Sequence, residues 1–236
     1  MTSKEDITKG VNDFFEGDYE IVDGRGVPNV EDLQLRKHGK QVELAMLFID
    51  IRESTKIVDG FRRTTAAKMY KSFLWGVTQI ARANSGDVRS FNGDGVLVAF
   101  YGESKRTNAA RAALQMSWFA RFVLKPKLEE YFKNNQQLAD VNFDFGIGID
   151  NGTILVVRGG IRGDNNNDLV WVGNATNFAV KLSNLPDEGY YVFISEDVYK
   201  NMAESSRMGG DPKREMWERR SHNGQTVYRS SWHWSL

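Results

Sequence analysis

Two aspartates stand where a folded chain would offer them to a ligand. Asp50 closes the run from Val42 to Ile49, which is almost continuously apolar, as in a strand buried on both faces, so the strand delivers a carboxylate at its end. Ile51, Arg52 and Glu53 lead on to Ser54 and Thr55, a hydroxyl-bearing turn into a helix, where backbone N–H groups would receive a metal-bound phosphate. Asp94, in Phe91-Asn92-Gly93-Asp94-Gly95, lies at the mouth of a tight hairpin, and its flanking glycines let backbone and ligand approach closely. If the two strands are neighbours, the carboxylates converge. Paired acids beside phosphate-sized space suit one or two hard divalent ions, Mg²⁺ or Mn²⁺, one activating an attacking hydroxyl while the other neutralises a triphosphate. Taken singly, Asp50 reads equally well as a helix cap and Asp94 as a turn residue; their joint context makes the signal. A third element is Trp171-Val172-Gly173-Asn174-Ala175-Thr176-Asn177-Phe178-Ala179-Val180-Lys181. It sets Asn177 and Lys181 at i, i+4, an amide and a cation on one helix face.

The elements that must position these groups follow from periodicity. After the first strand, Tyr70, Phe73, Leu74, Val77 and Ile80 keep helical spacing until Asn84-Ser85-Gly86 stops the helix. Asp87 to Phe91 and Asp94 to Phe100, joined through Asn92-Gly93, form a hairpin. Ala109 to Val123 reads as a second amphipathic helix ending near Pro126, and Val141 to Ile149 alternates as a strand that Gly152 turns back into Thr153 to Val157. A polar loop, Gly159 to Asp168, precedes a strand Leu169 to Val172 and a helix opening at Gly173-Asn174 and ending near Leu185-Pro186. Tyr190 to Ile194 is a further strand, Ser195 caps a short helix, and Trp217 to Ser230 closes as a hairpin around Asn223-Gly224. Interleaved helices and antiparallel hairpins predict an α+β fold, an antiparallel-rich sheet with helices covering it. Residues 1–40, opening with an acidic stretch, read as a peripheral N-terminal arm, and 41–236 as one domain.

Composition bounds the partners. Over 236 residues, Lys+Arg and Asp+Glu are equal at 31 each, so no basic excess exists to hold a polyanion, and nucleic-acid binding is not expected. The longest apolar runs, such as Val96 to Tyr101, are too short to span a bilayer, so no membrane binding is expected either. No cysteine is present, which removes disulfides and thiol ligands and points to a cytoplasmic home.

Four motifs now stand in register: Phe48-x-Asp50-Ile51-x-x-Ser54-Thr55, Phe91-x-Gly93-Asp94-Gly95, Gly146-Ile147-Gly148-Ile149-x-x-Gly152 and Gly173-x-x-x-Asn177-x-Ala179. In order and spacing they resemble the catalytic domains of class III nucleotidyl cyclases over about Val42 to Leu185, and the final hairpin also fits. The resemblance implies a ferredoxin-like palm core and a head-to-tail homodimer with active sites at the subunit interface. It makes Asp50 and Asp94 the ligands of two Mn²⁺ or Mg²⁺ ions, with the Ile51 carbonyl assisting. Phe48, Ser54, Thr55, Ser90 and Val170 fall at substrate-binding positions. Asn177 would orient the ribose, and Lys181 stands where the family usually has Arg, keeping charge but losing the bidentate fork. Arg220 falls near the family's phosphate-binding Lys, with Arg219 close by as an alternative.

Ser90 and Val170 occupy the two places where purine cyclases of this family read the base. Val170 offers no side-chain hydrogen bond and Ser90 is too short to copy a Lys. The purine code is missing. The chain is most similar to the stand-alone pyrimidine cyclases of bacterial anti-phage systems, which implies UTP or CTP as substrate, UTP preferred, and a separate effector activated by the cyclic nucleotide. The remaining readings are a cytidylate cyclase, a purine cyclase with atypical base contacts, and a catalytically degenerate nucleotide-binding module.

Overall fold

The computed structural model describes residues 3–133, 143–163 and 165–236. In chain order the elements are helix α1 (Lys4–Phe15), strands β1 (Glu20–Asp23) and β2 (His38–Arg52), helices α2 (Ser54–Gly60) and α3 (Arg63–Ala83), and strands β3 (Gly86–Asn92) and β4 (Gly95–Phe100). Helix α4 (Lys105–Trp118), a π-helical turn (Phe119–Leu124) and α5 (Lys125–Phe132) follow, then β5 (Asp144–Gly160), β6 (Asn167–Val172), α6 (Asn174–Ser183), β7 (Val192–Ser195), α7 (Glu196–Asn201) and α8 (Glu204–Arg207). Short strands β8 (Met208–Gly209) and β9 (Arg214–Glu215) precede the closing β10 (Glu218–His222) and β11 (Gln225–Ser230). The chain divides into two units, Met1–Glu43 with Thr153–Gly173, and Leu44–Gly152 with Asn174–Leu236.

In the second unit the strands run in the order β10-β11-β7-β5-β2-β4-β3. Neighbours β2/β4, β3/β4, β7/β11 and β10/β11 are antiparallel, and β5/β7 is parallel, so the expected antiparallel-rich α+β architecture is present. One face of β2, Ala45, Leu47 and Ile49, meets Phe73 and Val77 of α3 and the alanines Ala109 and Ala113 of α4, all fully buried. The apolar positions of α3 recur every three to four residues, which keeps them on the core face, and the small residues of α4 let that helix come close. Burying a side chain such as Phe73 contributes about 2–3 kcal/mol. Trp232 and Trp234 of the C-terminal tail pack against the same core, and Trp234 N–H donates to the Leu114 carbonyl at 3.1 Å.

In the first unit β1 pairs in parallel with the opening residues of β2, His38 to Gln41, and β6 pairs antiparallel with Leu155 to Gly160 of β5. Pro28, Leu33, Val42, Ile154 and Val156 are among its buried side chains. Helix α1 carries a capping box, with Ser3 Oγ accepting from Asp6 N–H at 3.0 Å and Asp6 Oδ2 accepting from Ser3 N–H at 2.9 Å, and it buries none of its residues.

Three expectations change. The first strand begins at His38, because β1 supplies a partner for residues before the apolar run. Pro126 does not end the second helix: it falls in the first turn of α5, where a missing N–H is tolerated, and the π-helical turn before it carries the chain on. Gly152 does not turn the chain either, for β5 continues without a break from Asp144 to Gly160, Gly152 passing Ala175 with only a Cβ-sized gap. Val141 and Asn142 of the expected strand, Asp164 of the polar loop, and Met1 and Thr2 of the arm lie outside the described residues. Among the described residues no helix is long and apolar enough to cross a membrane.

Candidate functional site

The β2/β4 register decides where the first aspartate goes. Phe48 pairs with Leu97 and Ile49 with Val96, so the next step along the ladder brings Asp50 opposite Gly95 and next to Asp94. A Cβ on Gly95 would stand 2.5 Å from Phe48 Cζ and 3.1 Å from Asp50 Oδ1, so both side chains lie across the bare glycine. Gly93 supplies the positive φ, 67°, that the turn into Asp94 requires.

The two carboxyls therefore meet within hydrogen-bonding reach of each other. Burial first, then the charge of Asp94, pushes the Asp50 carboxyl up to about 7, while the Ile51 N–H, donating to Asp50 Oδ1 at 3.1 Å, opposes the shift. Oδ2 of Asp94 is buried and accepts no hydrogen bond. Two converging acids with an orphaned oxygen call for a cation or a proton. Among the described residues no group of three or more acids or histidines forms a cage. A pair is nonetheless what Mg²⁺ or Mn²⁺ uses when substrate phosphates and water complete the shell, so the donors present fit such an ion.

Around the pair, Ser54 opens α2 half-buried, its carbonyl accepting from Tyr70 Oη at 3.2 Å, and Thr55 beside it is exposed. Helix α2 is entered through Glu53 in the left-handed conformation, φ 53°. Tyr70, on α3, was legible in the sequence only as an apolar helix position. Burial first, then the charges of Asp94 and Asp50, raise its pKa. Ser90 lies half-buried on β3, directly after a bulge between Val88 and Ser90. Val170, on β6 in the first unit, is 47% exposed.

Asn177 and Lys181 line a cavity of about 830 Å³, of which neither Asp50 nor Asp94 forms part. Their helix, α6, rests directly on the backbone of β5. A Cβ on Gly146 would fall 1.8 Å from the Ser183 carbonyl oxygen, and one on Gly148 would fall 1.9 Å from that of Ala179. The Gly-x-Gly pattern is thus the seat of the helix that carries Asn177. Arg52 fixes its far end, pairing with Asp144 at 3.0 Å and donating to the Leu185 carbonyl at 2.7 Å.

The same cavity gathers residues that the sequence did not mark as functional: Asp150 within β5, Ser195 and Asp197 at the start of α7, and His222 and Thr226 on the closing hairpin. The parallel β5/β7 register, with Ile149 opposite Ile194, is what sets Asp150 beside Ser195. Burial raises the Asp150 pKa, against the Ser195 hydroxyl and the Asn151 N–H that bond it. Arg220 is not among the lining residues. It pairs through Nε with Asp187 at 2.9 Å, and Arg229 reaches the same oxygen at 2.9 Å. Arg219 instead donates to Thr226 Oγ1 at 3.1 Å.

No family profile matches the chain. It is 36% identical over 241 residues to the uridylate cyclase of Xanthomonas perforans and 34% identical over 240 residues to that of Burkholderia cepacia, in each case across the full length of both proteins. Among solved structures it is similar to the guanylyl cyclase Cya2, with a TM-score of 0.63 at 17% identity over 83% of this chain and 94% of that one. It is also similar to the adenylyl cyclase CyaB from P. aeruginosa, with a TM-score of 0.56 at 19% identity over 81% and 95%.

Proposed function

Because the chain belongs to the uridylate cyclases and has the class III nucleotidyl cyclase fold, we propose that it converts UTP to 3′,5′-cyclic UMP and pyrophosphate. The observation that carries the mechanism is the convergence of Asp50 and Asp94 with Asp94 Oδ2 left unbonded. Asp50 and Asp94 would hold two Mn²⁺ or Mg²⁺ ions, assisted by the Ile51 carbonyl. When bound, such ions lower the pKa of the ribose 3′-hydroxyl and neutralise charge on the triphosphate.

The chain's own groups do the rest. Asn177 orients the ribose so that the 3′-oxygen stands in line with the bond to be broken. The 3′-oxygen forms its bond to the α-phosphorus, its proton passes to water, and the bond from that phosphorus to the bridging oxygen breaks, releasing pyrophosphate. Lys181 faces the negative charge that spreads over the phosphoryl oxygens, while Phe48, Ser54 and Thr55 line the nucleotide. Arg220 reaches the phosphates only by leaving Asp187.

Asn177 and Lys181 line a cavity that excludes Asp50 and Asp94, which supports a head-to-tail homodimer in which each site takes its acids from one subunit and its amide and ammonium from the other. UTP is preferred over CTP on the names of the full-length relatives, and Ser90 and Val170 supply neither of the usual purine contacts. The product would act as a signal read by a separate effector in anti-phage defence, a role that rests on resemblance to the pyrimidine cyclases. Incubating the protein with UTP, CTP, ATP or GTP and Mn²⁺, and weighing the products, tests the assignment. Cyclic UMP as the main product is expected, and cyclic AMP or cyclic GMP as the main product would overturn it.

A further inference from the structure

The first unit holds a cavity of about 620 Å³ lined by Gln34, Leu35, Arg36, Arg158, Arg162 and Asn167. Three arginines line it, and no acid is among its described lining residues, in a chain whose net charge is zero. Like charges brought together repel, so an arrangement of this kind is favourable when an anion shares it.

The cavity is built around one of the three. Arg158 is half-buried, donating through Nε to Asn167 Oδ1 at 2.8 Å and through Nη1 to the Leu33 carbonyl at 3.3 Å. Asn167 is fixed in turn, its Nδ2 donating to the carbonyls of Ile161 at 3.1 Å and Gly163 at 3.0 Å. The loop can curl back this way because Gly160 and Gly163 hold φ values of 103° and 119°. A Cβ at Gly160 would fall 2.2 Å from the Asn166 carbonyl oxygen. Arg158 is therefore oriented before any ligand arrives. Arg36 and Arg162 are exposed beside it, and neither has a carboxylate partner among the described residues.

Guanidinium forks match phosphoryl oxygens two at a time, and three of them carry more positive charge than the roughly two negative charges of one phosphate at neutral pH can balance. The volume likewise exceeds a single phosphate, and Leu35 and Gln34 add an apolar and an amide surface. We propose that this cavity binds an oligophosphate anion, either free pyrophosphate or the phosphate chain of a nucleotide, at a site that shares no residue with Asp50, Asp94, Asn177 or Lys181.

The proposal does not depend on the cyclase assignment, and its test needs no turnover. Calorimetric titration of the full chain with pyrophosphate, UTP or inorganic phosphate is made in EDTA at about 0.1 M salt, in wild type, Asp50→Asn and Arg36→Gln/Arg162→Gln. Expected is saturable 1:1 binding of pyrophosphate in wild type and in Asp50→Asn, weaker binding of inorganic phosphate, and a loss of about tenfold or more in the double variant. Both exchanged residues are exposed, so the fold should survive, and an unchanged melting temperature checks that it does. Asn167→Ala, which frees Arg158, should weaken binding by a smaller factor. Equal affinity for pyrophosphate and UTP would identify the bare phosphate chain as the ligand, and tighter UTP would identify a nucleotide; both sustain the site. Pyrophosphate binding unchanged in the double variant, binding lost in Asp50→Asn, or no saturation by about 10 mM would overturn it.

Discussion

The carboxyls of Asp50 and Asp94 lie close enough to share a proton, and the buried Oδ2 of Asp94 accepts no hydrogen bond. A divalent ion relieves both the repulsion and the orphaned oxygen. Adding Mn²⁺ should therefore raise the melting temperature of the wild-type protein by mass action, and leave Asp50→Asn and Asp94→Asn almost unmoved. The same variants should lose about 10³-fold or more in turnover while remaining folded. Full activity in either would remove the pair from the mechanism.

The cavity that holds Asn177 and Lys181 includes neither acid, which predicts complementation. Asp50→Ala and Asn177→Ala chains, each inactive alone, should regain activity when mixed and allowed to exchange, since one site of the mixed dimer is then intact. Product formation that stays at background after labelled subunits are shown to exchange would contradict a shared site.

Gly148→Ala tests the seat of α6. The new Cβ would lie 1.9 Å from the Ala179 carbonyl oxygen and 2.6 Å from the Ser183 nitrogen, both backbone atoms that cannot rotate away. The helix must lift from the sheet, at a cost of about 2–3 kcal/mol, read as a lower denaturation midpoint. Turnover should fall further than stability explains, because Asn177 and Lys181 move with the helix.

Lys181 and Arg220 separate by the partners they already have. Lys181 is exposed in the cavity, so Lys181→Ala should cost about 10²-fold in kcat while Lys181→Arg retains most activity. Arg220 is held by Asp187, and Arg229 keeps that acid paired when Arg220 is removed. Arg220→Ala should change kcat by less than about tenfold and leave stability within about 1 kcal/mol. Parallel kinetics on the three variants decide the order, and an Arg220→Ala enzyme as impaired as Lys181→Ala would reverse it.

Asp150 should give the fold a pH dependence. Burial raises its pKa, so the folded state holds the proton more tightly than the unfolded chain, whose carboxyl titrates near about 4. Its contribution to stability is full below that value and declines as pH rises through the elevated one. Asp150→Asn keeps an oxygen for the Ser195 hydroxyl and removes the titration. Melting temperatures from acid to neutral pH should fall less steeply in the variant, which should be the more stable form at neutral pH; parallel curves would refute the assignment.

Much of this was legible in the chain itself, where local chemistry dictated local shape. The hairpin that carries Asp94 forms where Asn92-Gly93 marks it, one residue later than expected, with Asn92 paired to Gly95 and Gly93-Asp94 as the turn; Ser195 caps α7 by accepting from Val198 N–H at 3.4 Å, and Asn223-Gly224 turns β10 into β11. The failures came where a distant partner overrode a local signal. Gly152 reads as a turn, yet β5 runs through it from Asp144 to Gly160 without a break. Pro126 reads as a stop, yet it lands in a first turn, where proline is harmless. Asp150 and Tyr70 could not be found by spacing, because only the β5/β7 register and the packing of α3 bring them to their sites.

The contact between α6 and β5 has a consequence for how this site can vary. Most catalytic groups are positioned by side chains, and neighbours can be traded for one another as long as volume is kept. Here the spacer beneath the helix that carries Asn177 is hydrogen, at Gly146 and Gly148, which meet Ala179 and Ser183, and no smaller residue exists. The height of the helix above the sheet is thus at its lower limit, so substitution can only raise it. Two glycines that touch no ligand set the ceiling on how accurately Asn177 and Lys181 can be aimed.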